Sequence, residues 1–319
     1  YLGFKPNEGE YKVMGLAPYA TPKNYEHIFD KFTKLGGDDI ISIDQKYFTW
    51  EYSNTDMFTM DLVDLIGFEP RTPDSEIELH HMELASALQS WYEKCFYYLI
   101  NHSLEYIDSK NLVIGGGCAY NGTANGKIKQ NTSIKNVWIP YAPSDAGSAI
   151  GCALNYYYTH NESAVRVPNT NPYLGTFNTN DEIETELKNY ENEVWYEYKN
   201  HSEIITTISR EITNGNVIGW YEGRMEFGSR ALGNRSIFAN PRDPQMKARV
   251  NKVIKKREGF RPFAPIVKEE DRLKYFDYKP LVPYMNQVVQ VKEEHIKNLP
   301  AITHIDGSAR IQTLNFKQH

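Results

Sequence analysis

The chain reads LVIGGG at residues 112–117, where a short apolar run meets three consecutive glycines. Such a run is typical of a buried strand that turns sharply into the next element. A helical stretch containing Ile128 follows, then a second apolar run at residues 137–139 and the loop PSDAG at residues 143–147. The order strand, glycine loop, helix, strand, polar loop predicts an α/β fold.

A long amphipathic helix is predicted before this stretch. Ser75 and Glu78 have the spacing of a capping box, Asp74 is the other candidate cap, and the apolar pattern ends near Tyr106. The apolar positions recur at helical spacing, which predicts a buried stripe rather than a binding surface. They are Leu84, Leu88, Trp91, Cys95, Phe96, Leu99 and Ile100.

A second α/β block is predicted after a polar segment. Residues 164–182 are rich in Asn, Thr and Pro, which indicates a linker or crossing segment. The pattern then predicts a helix around residues 203–213, a strand at residues 217–221, and a helix that has Pro244 in its first turn and Asp243 as its cap. The buried face of that last helix is expected to comprise Met246, Val250, Val253 and Ile254.

Length and composition predict a globular protein of two domains. The chain has 319 residues, of which 40% are hydrophobic and 24% charged, and no apolar run approaches the roughly 20 residues of a membrane span. Three scattered cysteines argue against a disulfide framework or a CxxC metal site. The opening YLGFKP lacks the charged-then-apolar pattern of a leader, so we expect a cytoplasmic protein.

The charge distribution indicates a focused anion site. The net charge is −6, yet residues 224–261 contain seven Arg and four Lys against three acidic residues. A nucleic-acid surface would usually raise the charge of the whole domain. We therefore expect a local site for a small anion and no nucleic-acid partner.

The most informative run is GRMEFGSRALGNRS at residues 223–236. Arginine forks suit phosphate and carboxylate oxygens, and an arginine that is buried must be paired. We predict that Arg230, Lys255 and Arg261 converge on one anion pocket. Lys256 and Arg257 are expected on a solvated face, where alanine would be tolerated.

Two loops are candidate ligand sites, each with a plainer interpretation. Gly115, Gly116 and Gly117 fit either a tight turn or a nucleotide loop, although neither Walker nor GxGxxG spacing is present. The polar Asn121 just beyond them favours a nucleotide. Asp145 fits a plain helix cap, and a metal role would need further ligands nearby.

Several runs together resemble the NodU/CmcH-type O-carbamoyltransferases of nodulation-factor and antibiotic pathways. They extend over nearly the whole chain in the order of the family. The runs are GEYKVMGLAPY at residues 9–19, then residues 115–128, 143–147, 223–236, 255–265 and 304–313.

The resemblance implies a particular α/β fold. Residues 1–165 would be the C-terminal part of an actin/sugar-kinase-like (ASKHA) domain similar to that of threonylcarbamoyl transferases. Residues 166–195 would be a crossing segment, and residues 196–319 a YrdC-like twisted α/β domain. The family's early metal-binding histidine pair and the run that closes the YrdC-like pocket lie outside this sequence, so we expect a fragment that lacks both ends and has reduced activity or none.

The resemblance also implies a reaction. Carbamoyl phosphate and ATP would give a carbamoyl adenylate, whose carbamoyl group passes to a hydroxyl of a sugar-like or natural-product acceptor. A divalent metal, iron or magnesium, would assist. The implied carbamoyl phosphate ligands are Arg230, Lys255, Arg261 and Arg310; the implied nucleotide contacts are Gly115, Gly116, Gly117 and Asn121; and the implied metal ligand is Asp145.

Three alternatives stay open. A hydrogenase-maturation carbamoyltransferase would require zinc-finger cysteines and an acylphosphatase-like segment. A tRNA threonylcarbamoylation protein would normally carry one of the two domains rather than both. A non-catalytic nucleotide-binding module would bind ATP without turning over carbamoyl phosphate. A homodimer is a further expectation, with no membrane partner.

Overall fold

The computed structural model describes residues 1–53, 55, 57–190, 193, 195–197 and 199–315. The α-helices of this part are α1 (Glu10–Leu16), α2 (Glu26–Phe32), α3 (Met60–Ile66), α4 (Leu79–Tyr106), α5 (Gly122–Asn131), α6 (Asp145–His160), α7 (Asn180–Asn189), α8 (His201–Thr213), α9 (Met246–Arg249), α10 (Arg272–Tyr275) and α11 (Glu293–Ile296). The strands are β1 (Thr33–Leu35), β2 (Ile41–Ile43), β3 (Asn111–Val113), β4 (Asn136–Trp138), β5 (Ile218–Tyr221), β6 (Arg235–Phe238), β7 (Ile266–Lys268), β8 (Val288–Gln290), β9 (Ser308–Arg310) and β10 (Gln312–Leu314).

The strands pair in twos within the described residues. β3 and β4 are parallel, as are β7 and β10, whereas β1 with β2, β5 with β6, and β8 with β9 are antiparallel. Helix α5 connects β3 to β4, which gives the predicted strand–helix–strand unit. The mixed α/β composition is therefore confirmed, while the ASKHA-type and YrdC-like arrangement stays a prediction.

Helix α4 begins later than predicted. Glu78 caps it: its side chain accepts from the backbone N–H of His81, and its own N–H donates to His81 Nδ1 at 3.0 Å. The predicted cap at Asp74 or Ser75 was wrong, because the Ser75 hydroxyl donates to a carbonyl three residues earlier instead. The predicted end at Tyr106 is confirmed.

The predicted stripe of α4 is largely buried. Leu84, Cys95 and Ile100 are buried, whereas Leu99 is 42% exposed. The N-terminal part of α4 packs against α1, α2 and α3 in a first core that includes Leu16. Although α4 has 28 residues, no helix of the described residues combines the length and the apolar character of a membrane span.

A second core lies between the strands of the C-terminal region. Val267 of β7, Phe276, Val289 of β8 and Ile311 contribute to it. Strand β10 runs beside β7, with Gln312 opposite Ile266.

Helix α9 is shorter than predicted and turns differently. It begins at Met246, because Asp243 Oδ1 accepts from the N–H of Gln245 at 2.8 Å and so stabilises the turn before the helix. After α9 the chain forms a π-helical turn, Val250–Ile254. Met246 and Val250 are buried as predicted.

The other two residues of that predicted face point outward. Val253 is 60% exposed and Ile254 is also exposed. A π turn holds more residues than an α turn, so it rotates later side chains away from the face that an α-helix would give them. The predicted burial of these two residues was therefore wrong.

The first block, from α1 to α6, and the C-terminal block, from α8 to β10, are joined by buried polar contacts. Asn125 Nδ2 donates to the carbonyls of Ala119 at 2.7 Å and Asn286 at 2.9 Å, and Asn286 Nδ2 donates to the carbonyl of Ile139 at 2.9 Å. Because Gly126 has no side chain, α5 can pack directly on the carbonyl of Val288 in β8. The start of α5 and the Ala119 turn before it are thereby held against the C-terminal block.

The predicted crossing segment, residues 166–195, also packs on the molecule. Tyr284 Oη donates to the carbonyl of Thr170 at 2.6 Å, and the N–H of Gly175 donates to the carbonyl of Met225 at 2.9 Å. The segment contains helix α7, and residues 191, 192 and 194 of it lie outside the described residues. Its role as a domain boundary stays a prediction.

Gly126→Ala should destabilise the protein, since the added methyl group would overlap the Val288 carbonyl. Overpacking of this kind costs about 1–3 kcal/mol. Gly151→Ala is the matched control: it also lies inside a helix, α6, but its added methyl group meets no atom within 4 Å. That change should be neutral or stabilising by up to about 1 kcal/mol. Urea denaturation measures the free energy of unfolding of each variant. Equal values for the two variants would contradict the packing of α5 on β8.

Candidate anion-binding site

A cavity of about 610 Å³ opens in the C-terminal block and is closed on one side by helix α1. Seven cationic side chains line it, and among the described residues no carboxylate does. The seven are Arg230, Arg235, Lys247, Lys255, Arg257, Arg261 and Arg310. The volume lies within the range of small-molecule sites.

All four side chains that were expected to hold carbamoyl phosphate lie on this one cavity wall. Arg230 comes from the loop before β6, Lys255 and Arg261 follow the π turn, and Arg310 ends β9. The structure therefore brings together residues up to 80 positions apart. Their individual roles stay predictions.

A buried carboxylate builds the loop that carries Arg230. Glu226 is 7% exposed. Its Oε1 accepts from the backbone N–H groups of Leu232 at 2.7 Å, Asn234 at 2.8 Å and Arg235 at 3.2 Å. Three N–H donors on one carboxylate oxygen hold the loop in a closed turn around Arg230. The sequence reasoning missed Glu226, although it is the sole acidic residue in residues 223–236.

Arg230 lies beside the end of the glycine loop. Its guanidinium carbon is 5.3 Å from the centroid of the Tyr120 ring. Arg230 Nε and Tyr120 Oη are both buried and have no hydrogen-bond partner in the described part of the chain. Burial, and then the charge of Arg261, lower the pKa of Arg230. Two buried donors that face the same region are the groups a bound anion would satisfy.

Arg310 is the most strongly perturbed of the cations. Its Nε is buried, again without a partner among the described residues. Burial lowers its pKa to about 9, and the charges of Arg230, Arg257 and Arg261 add to the shift. Guanidinium groups resist deprotonation, so this lowered pKa marks a cation that is buried first of all and that also has other cations close by. A bound anion would stabilise the cluster.

Arg257 corrects the expectation of a solvated face. It is half-buried, and its Nε donates to Asn251 Oδ1 at 2.7 Å. The guanidinium carbon is also 4.9 Å from the centroid of the Phe263 ring. Burial, and then Arg261, lower its pKa to about 10. The expectation was wrong because the chain turns after the π-helical stretch. Lys256 has a positive φ of 44° in this turn, and Arg257, the next residue, points into the cavity.

Arg261 is held between the two blocks. Its guanidinium carbon lies 4.7 Å from the centroid of the Tyr11 ring of α1, and one of its nitrogens is 3.7 Å from the carboxylate of Glu258. Tyr11 therefore contributes to a site that is otherwise built mainly by the C-terminal block. Its part in the site was not foreseen, because nothing in its local sequence indicates a contact some 250 positions away.

The glycine loop is exposed and does not line the cavity. Gly115, Gly116 and Gly117 are all exposed, and a side chain added at any of them would meet no atom within 4 Å. The N–H of Gly116 donates to the carbonyl of Pro143 at 2.6 Å, so the glycine loop and the PSDAG loop are neighbours. The geometry leaves room for a ligand against the backbone.

Asn121 has a structural role in the described fold. Its Oδ1 accepts from the N–H of Ala124 at 3.0 Å, which caps α5, and from Gln89 Nε2 at 3.1 Å. Its Nδ2 donates to Gln89 Oε1 at 3.0 Å. The second amide N–H has no acceptor among the described residues, and the nucleotide contact expected of Asn121 remains a prediction.

Asp145 belongs to no cluster of three potential metal ligands in the described residues. It is exposed, at the first position of α6. Within the described residues, no group of three His, Cys, Asp or Glu side chains is arranged to hold a metal ion. The three cysteines are all free. By itself Asp145 does not form a metal site.

Two protein-family models match the chain. Residues 1–154 match the model described as Carbamoyltransferase N-terminus, and residues 209–319 match the model described as Carbamoyltransferase C-terminus. The second match contains all seven cations of the cavity wall, and the first contains Tyr11 and Tyr120.

The chain is also similar to several longer proteins. It is 40% identical to the uncharacterized protein sll1178 of Synechocystis sp., over 99% of this chain and 55% of the relative. It is 36% identical to nodulation protein NolNO of Sinorhizobium fredii, over 99% of this chain and 45% of the relative. It is 35% identical to nodulation protein NolO of Bradyrhizobium diazoefficiens, over 97% of this chain and 54% of the relative. The chain thus spans about half the length of these relatives.

Arg257→Ala should weaken the binding of inorganic phosphate at least about tenfold, because it removes one of the cations that donate into the cavity. Lys256→Ala is the matched control, since Lys256 is exposed and absent from the cavity wall. We expect it to bind phosphate within about twofold of the wild type, the usual effect of a surface change. Titration calorimetry measures the phosphate affinity of both variants. An equal loss of affinity in the two would refute the inward position of Arg257.

Proposed function

The chain belongs to the NodU-type carbamoyltransferase family, and we propose that the protein transfers a carbamoyl group from carbamoyl phosphate to an acceptor hydroxyl with the use of ATP. One observation carries the proposal: seven cations and no carboxylate line a single cavity in the described residues. Two of these cations, Arg230 and Arg310, have a buried Nε donor that finds no acceptor within the part of the chain that the structure describes.

Carbamoyl phosphate fits the chemistry of this wall. Its phosphate is a dianion with several oxygens that can accept from arginine forks. The same donors would stabilise the charge that develops on the phosphate as its bond to the carbamoyl group breaks. We propose that Arg230, Arg261 and Arg310 bind those oxygens and that Lys255, exposed at the rim, guides the anion inward.

The proposed reaction balances in two stages. In the first stage water adds to the carbamoyl carbon of carbamoyl phosphate, the bond from that carbon to the phosphate oxygen breaks, and inorganic phosphate and carbamate result. A carbamate oxygen then bonds to the α-phosphorus of ATP, pyrophosphate leaves, and a carbamoyl adenylate remains. The acceptor hydroxyl oxygen then bonds to the carbamoyl carbon, AMP leaves, and the hydroxyl proton passes to a base or to water. A sugar-like or natural-product acceptor is proposed by analogy with the family.

The nucleotide is proposed to lie against Gly115, Gly116 and Gly117. Their open backbone gives a phosphate or ribose the close approach that a side chain would prevent. The proposal includes the finer fold assignment, with residues 1–165 ASKHA-type and residues 196–319 YrdC-like. A cytoplasmic location and a homodimeric state are proposed with it.

A divalent metal, iron or magnesium, is a further part of the proposal. Asp145 would supply one oxygen ligand to such an ion. The described residues contain no group of three potential ligands, so they do not by themselves fit a metal, and we derive no step through one.

Arg261→Lys tests the proposed donor site in the full-length protein. Loss of the guanidinium fork should reduce carbamoyl phosphate-dependent release of pyrophosphate from ATP by about 10- to 150-fold, because charge-assisted hydrogen bonds contribute about 1.5–3 kcal/mol. Lys252→Arg, a reverse exchange at an exposed position off the cavity wall, should keep the wild-type rate. A wild-type protein that binds ATP but releases no pyrophosphate with carbamoyl phosphate would instead indicate a non-catalytic nucleotide-binding module.

Gly117→Val tests the nucleotide loop. Gly117 is preferable to Gly116, whose φ of 88° would strain any other residue. The new side chain has open space around it, so the fold should survive while the close approach of ATP is blocked. We expect at least about tenfold weaker ATP binding, the usual result when a ligand loses a well-made contact. Unchanged ATP affinity in calorimetry would exclude this loop as the nucleotide site.

A further inference from the structure

One carboxylate outside the cavity wall competes for its cations. Glu258 lies next to the wall, with Oε2 3.7 Å from Arg261 Nη1. Glu258 also interacts electrostatically with Arg257. Its negative charge raises the pKa of Arg257, although burial, the larger effect, lowers it. A carboxylate that closed on either guanidinium would occupy the donors that an anionic ligand needs.

Lys12 holds Glu258 in its observed place. Lys12 Nζ donates to Glu258 Oε1 at 2.6 Å, more than 1 Å shorter than the contact between Glu258 and Arg261. Both partners are only partly exposed, with 26% of the Lys12 side chain and 30% of the Glu258 side chain accessible. Lys12 belongs to α1, in the first block, whereas Glu258 belongs to the second. The ion pair therefore depends on the docking of α1.

The charged groups that interact with Glu258 in the described residues are all cations. They are Lys12 from α1, with Arg257 and Arg261 from its own loop. Burial acts to raise the pKa of Glu258, but hydrogen bonds from Lys12 and from its own backbone N–H, together with the charges of Lys12 and Arg261, lower it overall. Glu258 is thus ionised at neutral pH and available to whichever cation lies closest.

We infer that Lys12 is a positioning residue: it binds Glu258 and so keeps the Arg261 guanidinium free for the anionic ligand of the cavity. Lys12 itself does not line the cavity. This inference deepens the proposed function. It rests on one part of that proposal, namely that the cavity binds a phosphate-bearing ligand. It also explains why α1 is part of the site. Withdrawal of α1 would release Glu258 to pair with Arg261 and weaken binding.

The test is a double-mutant cycle read by titration calorimetry with inorganic phosphate, at physiological ionic strength to screen distant charges. Lys12→Met should weaken phosphate binding about two- to fivefold, the effect of a partly exposed ion pair. Glu258→Gln should bind phosphate at least as tightly as the wild type. In the double variant the loss should vanish, so that its affinity equals that of Glu258→Gln.

Two controls make the test specific. Lys12→Arg keeps a donor for Glu258 and should restore wild-type affinity. Lys5→Met removes the same charge from an exposed lysine of the first block that pairs with Glu8 instead, and should leave affinity unchanged. Thermal unfolding of each variant verifies that the protein is folded.

Two results would overturn the inference. If Lys12→Met loses the same affinity in the Glu258→Gln background, Lys12 acts through its own charge. If Lys12→Met alone leaves phosphate affinity unchanged in a folded protein, Lys12 does not control Arg261. Neither result depends on turnover of carbamoyl phosphate, so a failure of the proposed reaction is seen separately, in the pyrophosphate assay.

Discussion

Mutual repulsion among the cations of one cavity is the constraint on which the rest of this structure depends. At a separation of 4 Å two like charges in a partly buried site repel by about 4 kcal/mol, and the wall of this cavity carries seven cations with no carboxylate among the described residues. Such a cluster persists only if the surrounding fold holds each side chain in place. The structure does this with neutral or remote partners rather than with counter-charges on the wall.

Each of these partners leaves the cations free to bind. Glu226 uses its carboxylate on three backbone N–H groups of the arginine loop. Asn251, fully buried, orients Arg257 through its amide oxygen while its Nδ2 donates to the carbonyl of Arg261 at 2.9 Å. Tyr11 presents a ring face to Arg261. The site therefore gains rigidity without losing positive potential, which is the property that an anion-binding site requires.

Sequence reasoning identified the elements whose cause is local. The strand–helix–strand unit around α5 and the end of α4 follow from apolar periodicity, and the arginine run followed from its charge. Sequence reasoning failed where distant contacts or backbone geometry determine the position of a side chain. The π turn after α9 exposes Val253 and Ile254 and directs Arg257 inward. Tyr11 reaches the site only because α1 docks on the C-terminal block, a contact that no local pattern encodes.

The most direct measurement of the central claim is a crystal structure of the protein grown with inorganic phosphate. We predict one phosphate in the cavity, with oxygens within hydrogen-bond distance of Arg310 and Arg230, whose buried Nε atoms otherwise have no partner in the described residues. A phosphate bound elsewhere, or guanidinium groups of these two residues turned toward separate patches of solvent, would contradict it.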